Sequence, residues 1–147
     1  GCQVEDLPEG VTVTGVEHYS GINVNMKDFS DQALTMAVVA AFADTPTRIE
    51  HIGHIRMQEC DRIHAIINEL NRMGVVCKEV EQIDGVEIIP APIKPAEIET
   101  YEDHRVAMSF TLAGLRAEGI VIKNPLCCGK TFENYFDVID SLYAEKD

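Results

Sequence analysis

The sequence predicts an α/β protein built from repeated βαβαββ units. Two observations predict it. Strand signals and helix signals alternate along the chain in the order β-α-β-α-β-β, and then the order begins again. The openings of corresponding elements also recur at a nearly constant spacing. Asp31-Gln32-Ala33 and Asp103-His104-Arg105 each open an apolar helix, 72 positions apart. Gln58 and Lys130, also 72 apart, each precede an amphipathic helix. Gly1-Cys2 and Gly74-Val75 open hairpins 73 apart, and Gly10-Val11-Thr12-Val13 matches Gly85-Val86-Glu87-Ile88 at an offset of 75.

Each element has a local reason. Val11 to Val16 is β-branched and short, a strand, and Ile22 to Val24 is another. Ser30 to Ala43 is a helix with Ser30 as N-cap and Asp31 in its first turn. It is apolar on nearly all sides, so it is expected to be enclosed. Thr47 to Ile52 is a strand. Gln58 to Met73 is amphipathic, with Ile63, Ile66, Ile67 and Leu70 at helical spacing and Gly74 as its stop. Val75 to Val80 and Val86 to Ile89 are strands around an Asp84-Gly85 turn. Pro90, Pro92 and Pro95 mark a loop. Ile98 to Tyr101 is a strand, Asp103 to Arg116 a helix and Ile120 to Lys123 a strand. Thr131 to Tyr143 is a helix with Phe132, Tyr135, Phe136, Ile139 and Leu142 on one face.

The phase of the repeat divides the chain. Residues 1–19 read as the end of one unit, 20–90 as a complete unit and 91–147 as an incomplete one. The 147 residues fit one domain by size, but the phase marks them as a piece of a larger protein.

Composition bounds the function. With 25 acidic and 12 basic residues the formal net charge is −13. That balance argues against a nucleic-acid binder and against attraction to anionic lipid. No apolar run is long enough to span a bilayer and no signal peptide is visible, so a cytoplasmic location is expected. The five cysteines are odd in number, form no CxxC and do not cluster with histidines. A disulfide framework and a zinc site are therefore not expected, and the thiols read as reduced; no cofactor is expected either.

Polar residues gather at four helix starts. They are Asp31, the run from His54 to Arg62, Asp103-His104-Arg105, and Cys127-Cys128-Gly129-Lys130-Thr131. Helix N-termini suit anions, and Arg or Lys beside them strengthens that preference. Arg56, Arg62, Arg105 and Lys130 lie in or beside these starts, so a locally positive site fits within an acidic whole. Each residue also has a plainer reading. Asp31, Glu59, Asp61 and Asp103 sit where acids cap helices or meet the dipole. Arg62 can pair with Glu59 three residues earlier. His104 can be a packed structural histidine, and Lys130 a surface lysine. The Gly129-Lys130-Thr131 ending is not a P-loop, because Asn124 stands at the first glycine position and Pro125 stiffens the loop.

Taken together, the stretches Asp31-Gln-Ala-Leu-Thr-Met-Ala, Ile55-Arg-Met-Gln-Glu-Cys-Asp-Arg-Ile63, Glu69-Leu-Asn-Arg-Met-Gly74, Thr100-Tyr-Glu-Asp-His-Arg-Val-Ala-Met-Ser-Phe110 and Cys128-Gly-Lys-Thr-Phe-Glu-Asn-Tyr-Phe136 resemble the 5-enolpyruvylshikimate-3-phosphate synthase family. They fall in family order and cover nearly the whole chain. The resemblance implies part of the C-terminal domain of the enolpyruvyl transferase fold, whose helix N-termini face a cleft against a second, N-terminal domain. It implies transfer of the enolpyruvyl group of phosphoenolpyruvate to shikimate 3-phosphate, with release of phosphate. The shikimate pathway, which leads to the aromatic amino acids, uses this reaction.

By the same resemblance Asp31 is the base candidate for the attacking hydroxyl. Glu59 is the acid/base candidate for the phosphoenolpyruvate methylene. Arg62, Arg105 and Lys130 match phosphoenolpyruvate-binding cations, and His54 matches a polar neighbour of the shikimate phosphate. Gln58 departs from the pattern, since many members carry a substrate-contacting Lys there. Gln forms hydrogen bonds but carries no charge and moves no proton, so either the proton work falls to Asp31 and Glu59, the favoured reading, or the activity is altered. The chain alone is expected to be inactive, because the other domain is absent from it. Two alternatives stand beside this reading: a relative that acts on UDP-N-acetylglucosamine, and a non-catalytic module that binds anions.

Overall fold

A computed structural model describes residues 1–144. The chain is mixed α/β. It begins with a hairpin of β1 (Gln3–Leu7) and β2 (Gly10–Thr14), paired antiparallel. Val4, Val11 and Val13 of this hairpin are well exposed, so it adds little to the core.

The central sheet has four strands in the order β3-β4-β6-β5. β3 (Asn23–Asn25) runs parallel to β4 (Thr47–Glu50), and α1 (Ala33–Ala40) connects them. α2 (Arg62–Arg72) leads to β5 (Val76–Val80), which pairs antiparallel with β6 (Gly85–Ile89), and β6 inserts beside β4. Gly85 is required at this insertion. A Cβ there would lie 1.9 Å from the carbonyl oxygen of Ile49 on β4. A shorter βαβ follows, with β7 (Ala96–Ile98) parallel to β8 (Ile120–Ile122) and α3 (His104–Gly114) between them. The last element is α4 (Tyr135–Ala144).

The main core lies between the central sheet and the helices. Ile49, Ile52, Ile55, Ile63, Ile66, Leu70, Met73, Ile88, Ile98 and Phe110 are fully buried in it. α1 packs on α3 and is mostly enclosed, as its apolar sequence requires. α2 turns Ile63, Ile66 and Leu70 inward, each stabilising the fold by about 1.5–3 kcal/mol. Gly74 ends α2 with a left-handed φ of 86°, the conformation that a glycine stop supplies.

The helix starts differ from the sequence expectation, for physical reasons. α1 begins at Ala33 rather than Ser30, behind a 3-10 turn over Lys27–Gln32. Ser30 caps nothing, because its hydroxyl is bonded to the ring of His54 at 2.7 Å. α2 begins at Arg62 rather than Gln58, because Asp61 is its cap and accepts the His64 N–H at 2.9 Å. The strand expected from Ile98 to Tyr101 instead ends at Ile98, since Tyr101 and Glu102 have left-handed backbones. The last helix starts at Tyr135, four residues later than expected.

Candidate active site

Three segments distant in sequence meet at the starts of α1, α2 and α3. The turn before α1 brings Asp31. The bend before α2 brings Glu59 and Cys60, and the first residue of α2 brings Arg62. The start of α3 brings Asp103 and Arg105. Asp103 caps α3 by accepting the Arg105 N–H at 2.8 Å. Helices α1 and α3 are also joined within the cleft, where the Thr35 and Ser109 hydroxyls lie 3.1 Å apart.

Arg62 is the centre of this cluster. Its side chain is only 2% exposed, and its Nε donates to Asp103 Oδ2 at 2.8 Å. Its Nη2 donates to Glu59 Oε2 at 2.7 Å and to Asp103 Oδ1 at 3.3 Å. Its Nη1 reaches Asp31 Oδ1 at 3.4 Å. The other oxygen of Asp31 lies 3.3 Å from Arg105 Nη2, so Asp31 bridges two guanidinium groups. Its side chain remains 54% exposed, as the bridge sits on the open side of the cluster.

Charge and burial compete here. Burial alone pushes the Asp103 carboxyl up, but the Arg62 and Arg105 hydrogen bonds outweigh it and hold the group below the usual carboxylate range. Burial likewise disfavours charged Arg62, and the facing carboxylates more than offset it. Cys60 donates its thiol to Asp103 Oδ2 at 3.4 Å. Burial, and then the Asp103 charge, push that thiol up to about 12, so it is a hydrogen-bond donor and not a nucleophile.

Of the residues singled out from sequence, Asp31, Glu59, Arg62 and Arg105 therefore share one network. His54 is tied to the same turn as Asp31 through Ser30. Gln58 is exposed beside Glu59. Lys130 is exposed and lines a separate open pocket of about 340 Å³ with Glu102, Asn124, Leu126 and Cys127. Arg56 points elsewhere, to Asp61 at 3.2 Å and to Glu79.

The residue that sequence reasoning undervalued is Asp103. Its cap position was legible, but its grip on Arg62, 41 positions away, was not. His104 is buried as well, and its Nδ1 has no hydrogen-bond partner. It lines a cleft of about 280 Å³ together with Asp31, Thr35, Arg105, Ser109 and Tyr135. Carboxylates, guanidiniums and an open cleft at three helix starts suit an anionic ligand that also exchanges a proton. Among the described residues, no group of three or more His, Cys, Asp or Glu is arranged to hold a metal ion.

The sequence profile of the EPSP synthase family, 3-phosphoshikimate 1-carboxyvinyltransferase, matches residues 1–139. The chain belongs to the EPSP synthase family. It is 48% identical over 136 residues to the 3-phosphoshikimate 1-carboxyvinyltransferase of Nostoc punctiforme, covering 92% of this chain and 32% of that protein. It is 42% identical over 149 residues to the chloroplastic enzyme of Brassica napus, covering 97% of this chain and 29% of that protein. The enzyme of Methanosphaerula palustris is 34% identical over 139 residues, covering 95% of this chain and 32% of that protein. The chain thus spans about a third of the length of these EPSP synthases.

Proposed function

We propose that this chain supplies one side of the active site of a 3-phosphoshikimate 1-carboxyvinyltransferase. In this reading the rest of the site comes from an N-terminal domain outside these 147 residues. Residues 1–19, 20–90 and 91–147 are the end, the whole and the beginning of βαβαββ units in the C-terminal domain. The β3-β4-β6-β5 sheet and the parallel β7-β8 pair support that division.

The observation that carries the proposal is the Asp31 bridge between Arg62 and Arg105, with Glu59 on the far side of Arg62. The substrates are phosphoenolpyruvate and shikimate 3-phosphate. Arg105 attracts the phosphoenolpyruvate anion with Arg62 as a buried positive charge behind it, and Lys130, which lines a separate pocket here, is the further cation the family pattern assigns to that anion. An arriving anion competes with Asp31 for the two guanidiniums. Released from the bridge, the Asp31 carboxylate is free to take the proton of the attacking hydroxyl. Glu59, protonated from solvent once the arriving anion takes its place at Arg62, delivers that proton to the phosphoenolpyruvate methylene, and C2 becomes bonded to the acceptor oxygen. Elimination then breaks the C2–O bond to phosphate, a proton of the new methyl group returns to Glu59, and the proton held by Asp31 leaves with the phosphate. His54 and Gln58 offer hydrogen bonds at the rim. The reading carries no cofactor and a cytoplasmic location; the Brassica napus relative is chloroplastic by name.

The test is an assay of the complete polypeptide that contains this segment, with phosphoenolpyruvate and either shikimate 3-phosphate or UDP-N-acetylglucosamine. Phosphate release with shikimate 3-phosphate alone is expected. Release only with the UDP sugar moves the assignment to the sister transferase. Release with neither points to an anion-binding module.

A further inference from the structure

The turn that launches α3 has an unfavourable backbone. Tyr101 and Glu102 have φ of 54° and 56°, and neither is a residue that readily adopts the left-handed region. Consecutive residues in that state persist only where their surroundings hold them. The holder is α2. Glu69 lies seven positions after Arg62, two helical turns along, so both project from one face of the helix. The Glu69 carboxylate is fully buried. It accepts the Tyr101 hydroxyl at 2.7 Å, the Glu99 N–H at 3.1 Å and Arg72 Nε at 2.9 Å. The Asp103 N–H, bonded to the Thr100 carbonyl at 2.8 Å, closes the turn. Thus α2 holds the turn at both ends, through Glu69 at Glu99 and Tyr101 and through Arg62 at Asp103. Burial, and then the Glu69 bond, push the Tyr101 phenol up to about 12, so it remains a donor at neutral pH.

We propose that Glu69, acting through Tyr101, is a positioning residue that sets Asp103 against Arg62 and Arg105 against Asp31. Its kinetic consequence rests on the transferase reading; its geometric consequence does not. Tyr101→Phe keeps the ring and removes only the hydroxyl. In the complete polypeptide it is expected to raise KM for phosphoenolpyruvate about tenfold, the scale of a small misplacement at a site, with a smaller change in KM for the acceptor. Glu69→Gln keeps an acceptor for the Glu99 N–H and an amide that can donate to the Tyr101 oxygen, so it is expected to stay within about threefold of the unmodified enzyme. A purely structural role would lower the unfolding midpoint of Tyr101→Phe and leave both KM values unchanged below it, which overturns the proposal.

In the Tyr101→Phe background, Glu102→Gly tolerates the left-handed backbone without strain. It is expected to recover folding, if that is lost, and most of the change in KM; no recovery overturns the proposal. Absence of transfer by the unmodified polypeptide would overturn the transferase reading only. The positioning claim is then decided by NMR of the Arg62 Nε–H signal. A shift or broadening in Tyr101→Phe supports the proposal, and an unchanged signal overturns it.

Discussion

Arg62 and Asp103 form a two-point ion pair closed off from solvent, with Nε to Oδ2 at 2.8 Å and Nη2 to Oδ1 at 3.3 Å. The pair ties the start of α2 to the start of α3. It makes the position of the Arg62 guanidinium a property of the fold rather than of a mobile side chain.

Asp103→Asn is therefore expected to destabilise the protein by about 1.5–3 kcal/mol, since it weakens charged hydrogen bonds to a buried guanidinium that Glu59 and Asp31 still face. Denaturant unfolding of the two proteins measures this. The pH dependence has a definite sign. The folded Asp103 carboxyl lies below its unfolded value, so its contribution is complete above about pH 4 and is lost as pH falls through the folded value. The unfolding midpoint should decline below about pH 4 in the unmodified protein, and the part of that decline due to Asp103 should vanish in Asp103→Asn.

The cysteines give a chemical check. Cys60 and Cys77 thiols are pushed up to about 12 and Cys128 to about 11, each chiefly by burial, whereas Cys2 is exposed. At pH 8, iodoacetamide is expected to label Cys2 first, with the other three slower by at least about tenfold. Peptide mass spectrometry reads the order. Equal rates at Cys60 and Cys2 would contradict the bond from Cys60 to Asp103.

What was legible in the sequence was local. The Glu59–Arg62 pair joins residues three positions apart across the start of α2, and the stop at Gly74 follows from glycine's freedom at positive φ. The alternation of strands and helices carried through to the structure. The misread starts of α1 and α2 share one cause, since a cap is decided by which side chain reaches a free N–H. Ser30 is diverted to His54, and α2 starts only after the Asp61 cap, three residues beyond Gln58. The Asp103–Arg62 pair and the Tyr101–Glu69 bond join residues more than 30 positions apart. No periodicity encodes such partners; they appear only once α2 and α3 are packed.

Gln58→Lys tests whether the uncharged residue limits anion binding. Gln58 is exposed, so stability should change by less than about 0.5 kcal/mol. One added, partly solvated cation is expected to tighten phosphoenolpyruvate binding about three- to tenfold. Calorimetric titration of the complete polypeptide measures it, and unchanged affinity would place Gln58 outside the anion's reach.

The 147-residue chain by itself is expected to release no phosphate from the two substrates, and to bind phosphoenolpyruvate weakly, because closure against a second domain completes such a site. Turnover by this chain, or nanomolar affinity, would contradict the divided site.

The central claim is that Asp31, held between Arg62 and Arg105, moves the acceptor's proton. Asp31→Asn keeps the shape of the side chain and removes its basicity. Phosphate release by the complete polypeptide should fall about 10²–10⁴-fold, while phosphoenolpyruvate still binds. Release within twofold of the unmodified enzyme would contradict the account.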